Sequence, residues 1–193
     1  ISHMHKGAIR SIAKVDNDVI YSTGSDGQLL KSQMSDWSKI GAPKTTTETI
    51  LAERISNTDV AISPNGEFIA FASKKPSIQI IDTKSNQAIA NISYSKQGFI
   101  QNIAFSSDNQ TLLSIGSDRS VWQYDLNKKL SKKILTLNQN AKTMSVHPNT
   151  NQMALGYASG LIEIYNLADL AQPNSMIQLN ERITVLDFEP LTD

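Results

Sequence analysis

The chain has 193 residues, 39% of them hydrophobic, with 18 Lys+Arg balanced by 18 Asp+Glu and no cysteine. A formal charge of zero argues against nucleic acid or an anionic membrane as the main partner, since both favour a basic surplus. The missing cysteines exclude disulfides and thiolate metal sites, and no apolar run approaches the roughly 18 residues of a membrane-spanning helix.

Ile1-Ser2-His3-Met4 reads as a cloning scar, so the native domain is taken as residues 5–193. From there the chain alternates short apolar strands with Gly, Asn, Asp, Ser and Pro turns. The first repeat predicts strands at Ile9–Lys14, Val19–Thr23, Gln28–Gln33 and Thr49–Glu53. An excursion, Ser35–Thr46, carries Trp37, which is expected to fold back on its own blade as a plug. The second predicts Asp59–Ile62, a turn Ser63-Pro64-Asn65-Gly66, Phe68–Ala72, Ile78–Asp82 and a strand within Gln87–Tyr94. Phe68-Ile69-Ala70-Phe71-Ala72 is apolar throughout, as expected for a strand covered on both faces. The third predicts Asn102–Phe105, Thr111–Ile115, Val121–Asp125 and Lys133–Leu137. The fourth predicts Thr143–Val146, Gln152–Gly156, Leu161–Asn166 and Met176–Leu179. Ile183–Phe188 reads as the opening strand of a fifth. No segment has convincing helical periodicity, so the expected class is all-β.

One phrase recurs: Ile62-Ser63-Pro64-Asn65-Gly66, then Phe105-Ser106-Ser107-Asp108-Asn109, Val146-His147-Pro148-Asn149-Thr150 and the beginning Phe188-Glu189-Pro190. It returns about every 42 residues, a period typical of a β-propeller blade. The predicted blades are 8–53, 56–94, 100–137 and 141–179, with a fifth starting at 183–188.

These residues resemble the WD-repeat family. The resemblance rests on that phrase, on Gly24-Ser25-Asp26-Gly27 and Gly116-Ser117-Asp118-Arg119, on Tyr124-Asp125 (more weakly Ile81-Asp82 and Tyr165-Asn166), and on His5 before the first strand. It implies WD40-like blades of four antiparallel strands. It also departs from the family: no third strand ends in Trp-Asp, Trp122 stands two positions early, and one repeat alone has the His. The family's Trp–Ser/Thr–Asp–His network is therefore expected to be incomplete throughout. WD-type rings commonly close at more blades than four, so the chain is read as a piece of a larger propeller, able to self-associate through open blade faces.

Chemistry-bearing motifs are sparse. There is no nucleophile elbow, phosphate loop or dinucleotide fingerprint. His147 is read as a surface residue of its turn, and His5 as the structural partner of a turn Asp. Asp26 and Asp118 are read as turn caps. No catalytic residue, metal site or cofactor is assigned. If the family geometry holds, the loops leading into each first strand and those between strands two and three share one face. Register then places Arg10, Thr58, Gln101, Lys142 and Thr184 around the channel there, with Ala8, Ser56, Phe99, Asn140 and Arg182 beside them and Lys74, Lys75 and Arg119 from the neighbouring loops. The binding candidates are Arg10, Lys74, Lys75, Phe99, Gln101, Arg119, Lys142 and Arg182. This mildly basic rim points to a protein or peptide partner of acidic character. The expected function is a non-catalytic scaffold or sensor module of a larger protein. No nucleic acid or membrane is expected as partner, and a cytoplasmic location is favoured. The alternative is a propeller hydrolase or lactonase, which needs carboxylates, Asn and His converging on the channel.

Overall fold

The computed structural model describes residues 5–15, 18–35, 44–52, 57–73, 76–94 and 98–188. Every regular element among them is a strand. The first sheet comprises β1 (Ile9–Lys14), β2 (Val19–Gly24), β3 (Gln28–Ser35) and β4 (Lys44–Ala52). The second comprises β5 (Asn57–Ile62), β6 (Phe68–Ser73), β7 (Ser77–Asp82) and β8 (Ala88–Ser93). The third comprises β9 (Ile100–Phe105), β10 (Thr111–Gly116), β11 (Ser120–Asp125) and β12 (Leu130–Thr136). The fourth comprises β13 (Ala141–Val146), β14 (Gln152–Tyr157), β15 (Leu161–Asn166) and β16 (Ser175–Gln178). Each sheet is an antiparallel meander in sequence order.

The second strands of the second and third sheets are apolar on both faces because each face meets a different neighbour. Ile69 and Phe71 pack towards the first sheet with Tyr21 and Leu29. Ala70 and Ala72, on the other face of β6, pack towards the third with Ile103 and Leu112. In β10, Leu112 joins that cluster while adjacent Leu113 joins Met144, Met153 and Leu155 of the fourth sheet. Three apolar layers therefore bind four sheets in series, and each fully buried Leu or Ile stabilises by about 1.5–3 kcal/mol. Among the described residues the far face of the first sheet has no such cover: Ile9 is 56% exposed and borders a groove with Ile12, Ile20 and Leu30.

The recurring phrase folds the same way in the second and third blades. Ser63 Oγ donates to Asn65 Oδ1 (2.7 Å) and accepts from Phe68 N (2.9 Å). In the next blade Ser106 Oγ donates to Asp108 Oδ1 and accepts from Thr111 N. The turn needs a left-handed residue, supplied by Gly66 (φ 72) and by Asn109 (φ 61). In the fourth sheet's turn Asn149 N donates to His147 Nδ1 (3.1 Å), and the imidazole lies against Phe188 with ring centroids 5.0 Å apart.

Three expectations are corrected. The fourth strand of the first blade starts at Lys44 rather than Thr49, pairing Ser35 with Lys44. Its Thr45-Thr46-Thr47 run is β-branched and extends readily, so the excursion shrinks to 36–43; Trp37 lies there, outside the described residues. The fourth strand of the third blade starts at Leu130 rather than Lys133, because Asp125 pairs with Leu130 across a tight hairpin. Ile183–Phe188 forms no ladder among the described residues; it docks by other means, described below.

Candidate functional site

Each sheet's first strand carries a one-residue bulge at the same place. The register skips Arg10 in β1, Thr58 in β5, Gln101 in β9 and Lys142 in β13. A bulge frees one residue from the ladder and re-aims its side chain. These are four of the five residues that register placed at the channel end; the fifth, Thr184, is exposed in the trailing segment. The Thr58 Oγ1 and Gln101 Oε1 atoms are buried with no hydrogen-bond partner among the described residues, which is uncommon for buried polar groups.

The loop leading into the first strand and the turn between the second and third strands lie at one end of the blade, as expected. Ala8 N donates to Ser25 Oγ and Ser25 N to Ala8 O, both at 2.9 Å. Phe99 N and Ser117 N make the same reciprocal pair in the third blade, again at 2.9 Å. This brings Phe99, half-exposed, beside the turn that holds Arg119. Arg119 is exposed, and its Nη1 donates to Asn138 O at 3.5 Å. Its backbone has φ 65, at the turn position where the first and fourth blades have Gly27 (φ 74) and Gly160 (φ 83). Arg182 is exposed, and Lys74, Lys75 and Ser56 lie outside the described residues.

Beneath the bulges runs a belt of polar side chains that the sequence reading did not single out. Ser11 Oγ donates to Asp59 Oδ1 (2.8 Å). Asp59 Oδ2 accepts from Asn102 Nδ2 (2.5 Å) and Ile103 N (2.8 Å). Asn102 Oδ1 accepts from Met144 N (2.6 Å), and Thr143 Oγ1 accepts from Leu186 N (3.3 Å). Ser11, Asp59, Asn102 and Thr143 each follow a bulge residue, so one register position links every blade to the next. Burial, the largest influence on Asp59, pushes its carboxyl above the ordinary value against its hydrogen-bond donors. The signal was present: a polar residue recurs beside the apolar core positions Val60, Ile103 and Met144.

The belt's last bond reaches the trailing segment. Ile183 N donates to Tyr157 O (3.1 Å), Ser145 Oγ donates to Asp187 (3.2 Å), and Ile183 is only 7% exposed. Residues 183–188 thus lie on the fourth blade as β13 lies on the third, but without strands of their own beside them. Val185, 77% exposed, stands where the next belt residue would. The first strands and this segment surround a cavity of about 400 Å3, lined by apolar Ile12, Ala61, Ala104 and Leu186 as well as Ser145 and Asp187.

The family network is partial, as anticipated. His5 Nδ1 bonds Asp26 Oδ1 and His5 Nε2 bonds Ser22 Oγ, each at 3.0 Å. Burial is the largest single influence on Asp26 and raises it, but the His5 bond and the donors Lys6 N and Gln28 N together hold the carboxyl below its usual range. Asp26→Ala is expected to cost about 2 kcal/mol in urea unfolding at neutral pH, and acid below pH 3.8 should erase the difference from wild type as Asp26 itself protonates. In the third blade Trp122, two positions early, still joins in: its Nε1 donates to Ser120 Oγ (2.8 Å), which donates to Asp118 Oδ1 (2.5 Å). In the fourth, Tyr157 and Tyr165 both donate to Glu163 (2.5 and 3.1 Å), and burial pushes Tyr165 up to about 12. Among the described residues no group of three His, Asp or Glu side chains is placed to hold a metal.

Four-stranded meanders on this repeat, packed in series around their first strands, define an array of WD40-like blades. No protein-family model matches the chain. The chain is similar to the WD repeat-containing protein 89 homolog of Dictyostelium discoideum, 31% identical over 110 residues, or 57% of this chain and 29% of that protein. It is also similar to the U3 small nucleolar RNA-associated protein 18 homolog of Drosophila melanogaster, 27% identical over 135 residues, or 66% of this chain and 26% of that protein. A third relative is the probable U3 small nucleolar RNA-associated protein 18 of Schizosaccharomyces pombe, 21% identical over 108 residues, or 55% and 20%. The matches thus cover less than a third of each relative's own length. These likenesses, together with the four-stranded meanders, support a place for the chain among WD-repeat proteins. The expectation that nucleic acid plays no part is not supported: two relatives are named for association with a small nucleolar RNA.

Proposed function

We propose that this chain is a non-catalytic docking scaffold that holds a protein partner within an RNA–protein assembly. The relatives' names supply the setting. The observation that carries the docking role is Arg119. An L-residue at φ 65 costs about 1 kcal/mol or more relative to glycine, and two sister blades use glycine at that position. Strain kept at one exposed turn is a mark of function. Exposed Phe99 stands beside that turn, and the reading adds the bulge residues Gln101 and Lys142, with Arg10 on the first blade. Arginine and aromatic side chains are favoured anchors in protein interfaces, and the positive charges suit an acidic partner segment. The bulge row holds Arg, Thr, Gln and Lys, not the converging carboxylates, Asn and His that a propeller hydrolase or lactonase needs.

Arg119→Gly separates binding from folding. It should raise the melting temperature, since about 1 kcal/mol of backbone strain is relieved, yet weaken capture of acidic peptides on an array. Arg119→Glu with Lys142→Glu should abolish that capture with the melting temperature held. Capture unchanged in the charge-reversed protein rules the rim out as the docking site. Self-association through the face bearing Ile9 and Ile12 belongs to the same reading; a sedimentation mass that stays monomeric at all concentrations removes it.

A further inference from the structure

The strongest charged patch is not on the rim. Lys128, Lys129, Lys132 and Lys133 lie within six residues, on the β11–β12 turn and on β12 itself. β12 is the edge strand of its sheet, and Leu130–Lys133 are all exposed. Lys128 pairs with Asp125 at 3.1 Å. Among the described residues no carboxylate pairs with Lys129, Lys132 or Lys133.

The ordinary explanation for edge lysines is protection against strand addition. The other edges of this chain argue against it. Of the other outer strands, β4 carries Lys44 and Glu48, but β8 (Ala-Ile-Ala-Asn-Ile-Ser) and β16 (Ser-Met-Ile-Gln) carry no charge at all. If bare edges needed lysines, these would have them. A second observation is independent of charge. Lys129 has φ 54, at the turn position where the second blade has Asn86 (φ 56). Asparagine tolerates that conformation and lysine does not favour it. The third blade thus keeps a lysine where its sister uses the better-suited residue.

We propose that this hairpin is a contact surface for the phosphate backbone of single-stranded RNA. The chemistry favours RNA over an acidic polypeptide. Protein interfaces are depleted in lysine and anchored by aromatic or arginine side chains; this patch is all lysine, with exposed Leu130 as its one large apolar side chain. Phosphate contacts need only point charges spaced along a flexible chain. At about 3.4 Å per strand residue, Lys129 and the Lys132-Lys133 pair are separated along the edge, and the strand's alternation sends the last two to opposite faces, so a backbone crossing the edge meets positive charge on both sides. This surface rests on the reading that the chain works in an RNA–protein assembly, but not on the Arg119 rim.

The test is fluorescence anisotropy with a fluorescein-labelled single-stranded RNA. Wild type should lose affinity roughly 20- to 50-fold between about 50 and 200 mM salt, as three or four phosphate contacts require. The variant Lys128→Gln, Lys129→Gln, Lys132→Gln, Lys133→Gln should lose most of that dependence and bind at least tenfold more weakly at the low end. Lys129→Asn alone should raise the melting temperature and lower the salt slope. No binding by wild type, an unchanged slope in the fourfold variant, or poly-glutamate competing as well as unlabelled RNA overturns the proposal. Acidic-peptide capture through Arg119 and Lys142, measured in the same fourfold variant, reports separately on the rim: loss of RNA binding with capture intact identifies two surfaces.

Discussion

Asp59→Ala is expected to destabilise the protein by about 3 kcal/mol, the larger of the two biggest effects that follow from the fold. Its carboxylate accepts from Ser11, Asn102 and the backbone of Ile103, joining three consecutive blades. Removing it leaves the Ile103 amide and the Asn102 side chain without an acceptor at a buried site, each costing about 1–3 kcal/mol, partly offset because a buried carboxyl is no longer desolvated. For a chain of this size the melting temperature should drop about 6–12 °C. Asp59→Asn keeps one acceptor oxygen and should cost less. It also isolates a pH effect. Burial raises the Asp59 pKa above the ordinary carboxyl value of 3.8, so the folded state holds its proton more tightly than the unfolded one. The associated stability is fully present below pH 3.8 and is lost as pH rises through the folded value. Denaturation series in urea across this window should show that decline in wild type and not in Asp59→Asn. A variant as stable as wild type at every pH shows that the belt does not hold the blades together.

Gly160→Ala is the second large effect, about 2–3 kcal/mol. Gly160 has φ 83, and an added Cβ would run into the carbonyl oxygen of Leu179 and approach that of Glu181 at 2.9 Å. Both obstacles are backbone, so no side-chain rotation relieves them. Leu179 N donates to Gly160 O (2.9 Å) and Ile183 N to Tyr157 O (3.1 Å), so the turn is the anchor of the trailing segment. The variant should release residues 179–188, uncover Ile183 and Tyr157, and gain an early protease cut there. Gly66→Ala, at a similarly strained φ of 72, meets a Val15 side-chain methyl at 3.2 Å rather than backbone, and should cost less. Equal losses in the two variants would show that φ alone sets the cost and that the segment is not anchored through Gly160.

Much of this molecule is legible along the chain because a blade is a local object. Its strands are consecutive and its turns short, so Ile62–Gly66 and Phe105–Asn109 announce their hairpins by residue type. The boundaries that moved did so for pairing reasons. Lys44–Thr46 became strand because β3 continues to Ser35 and supplies a partner, and Leu130 because a tight hairpin sets it opposite Asp125. Register aligned Arg10, Thr58, Gln101 and Lys142 as one row, yet that each is a bulge was not visible, since a bulge is a mismatch between two strands and not a property of one. Arg119 was chosen for its charge; its strain appears only beside Gly27 and Gly160 in the folded backbone. The lysine run was in plain view but hidden by a net charge of zero.

The sequence by itself determined the repeat, the all-β class and the number of meanders, because strand periodicity and turn chemistry act over a few residues. The tertiary structure alone decided the belt from Ser11 to Leu186, the docking of Ile183–Phe188 on the fourth blade, and the exposure of β12 beside two uncharged edges. The belt joins residues more than 40 positions apart, and all three features depend on how one sheet lies on the next.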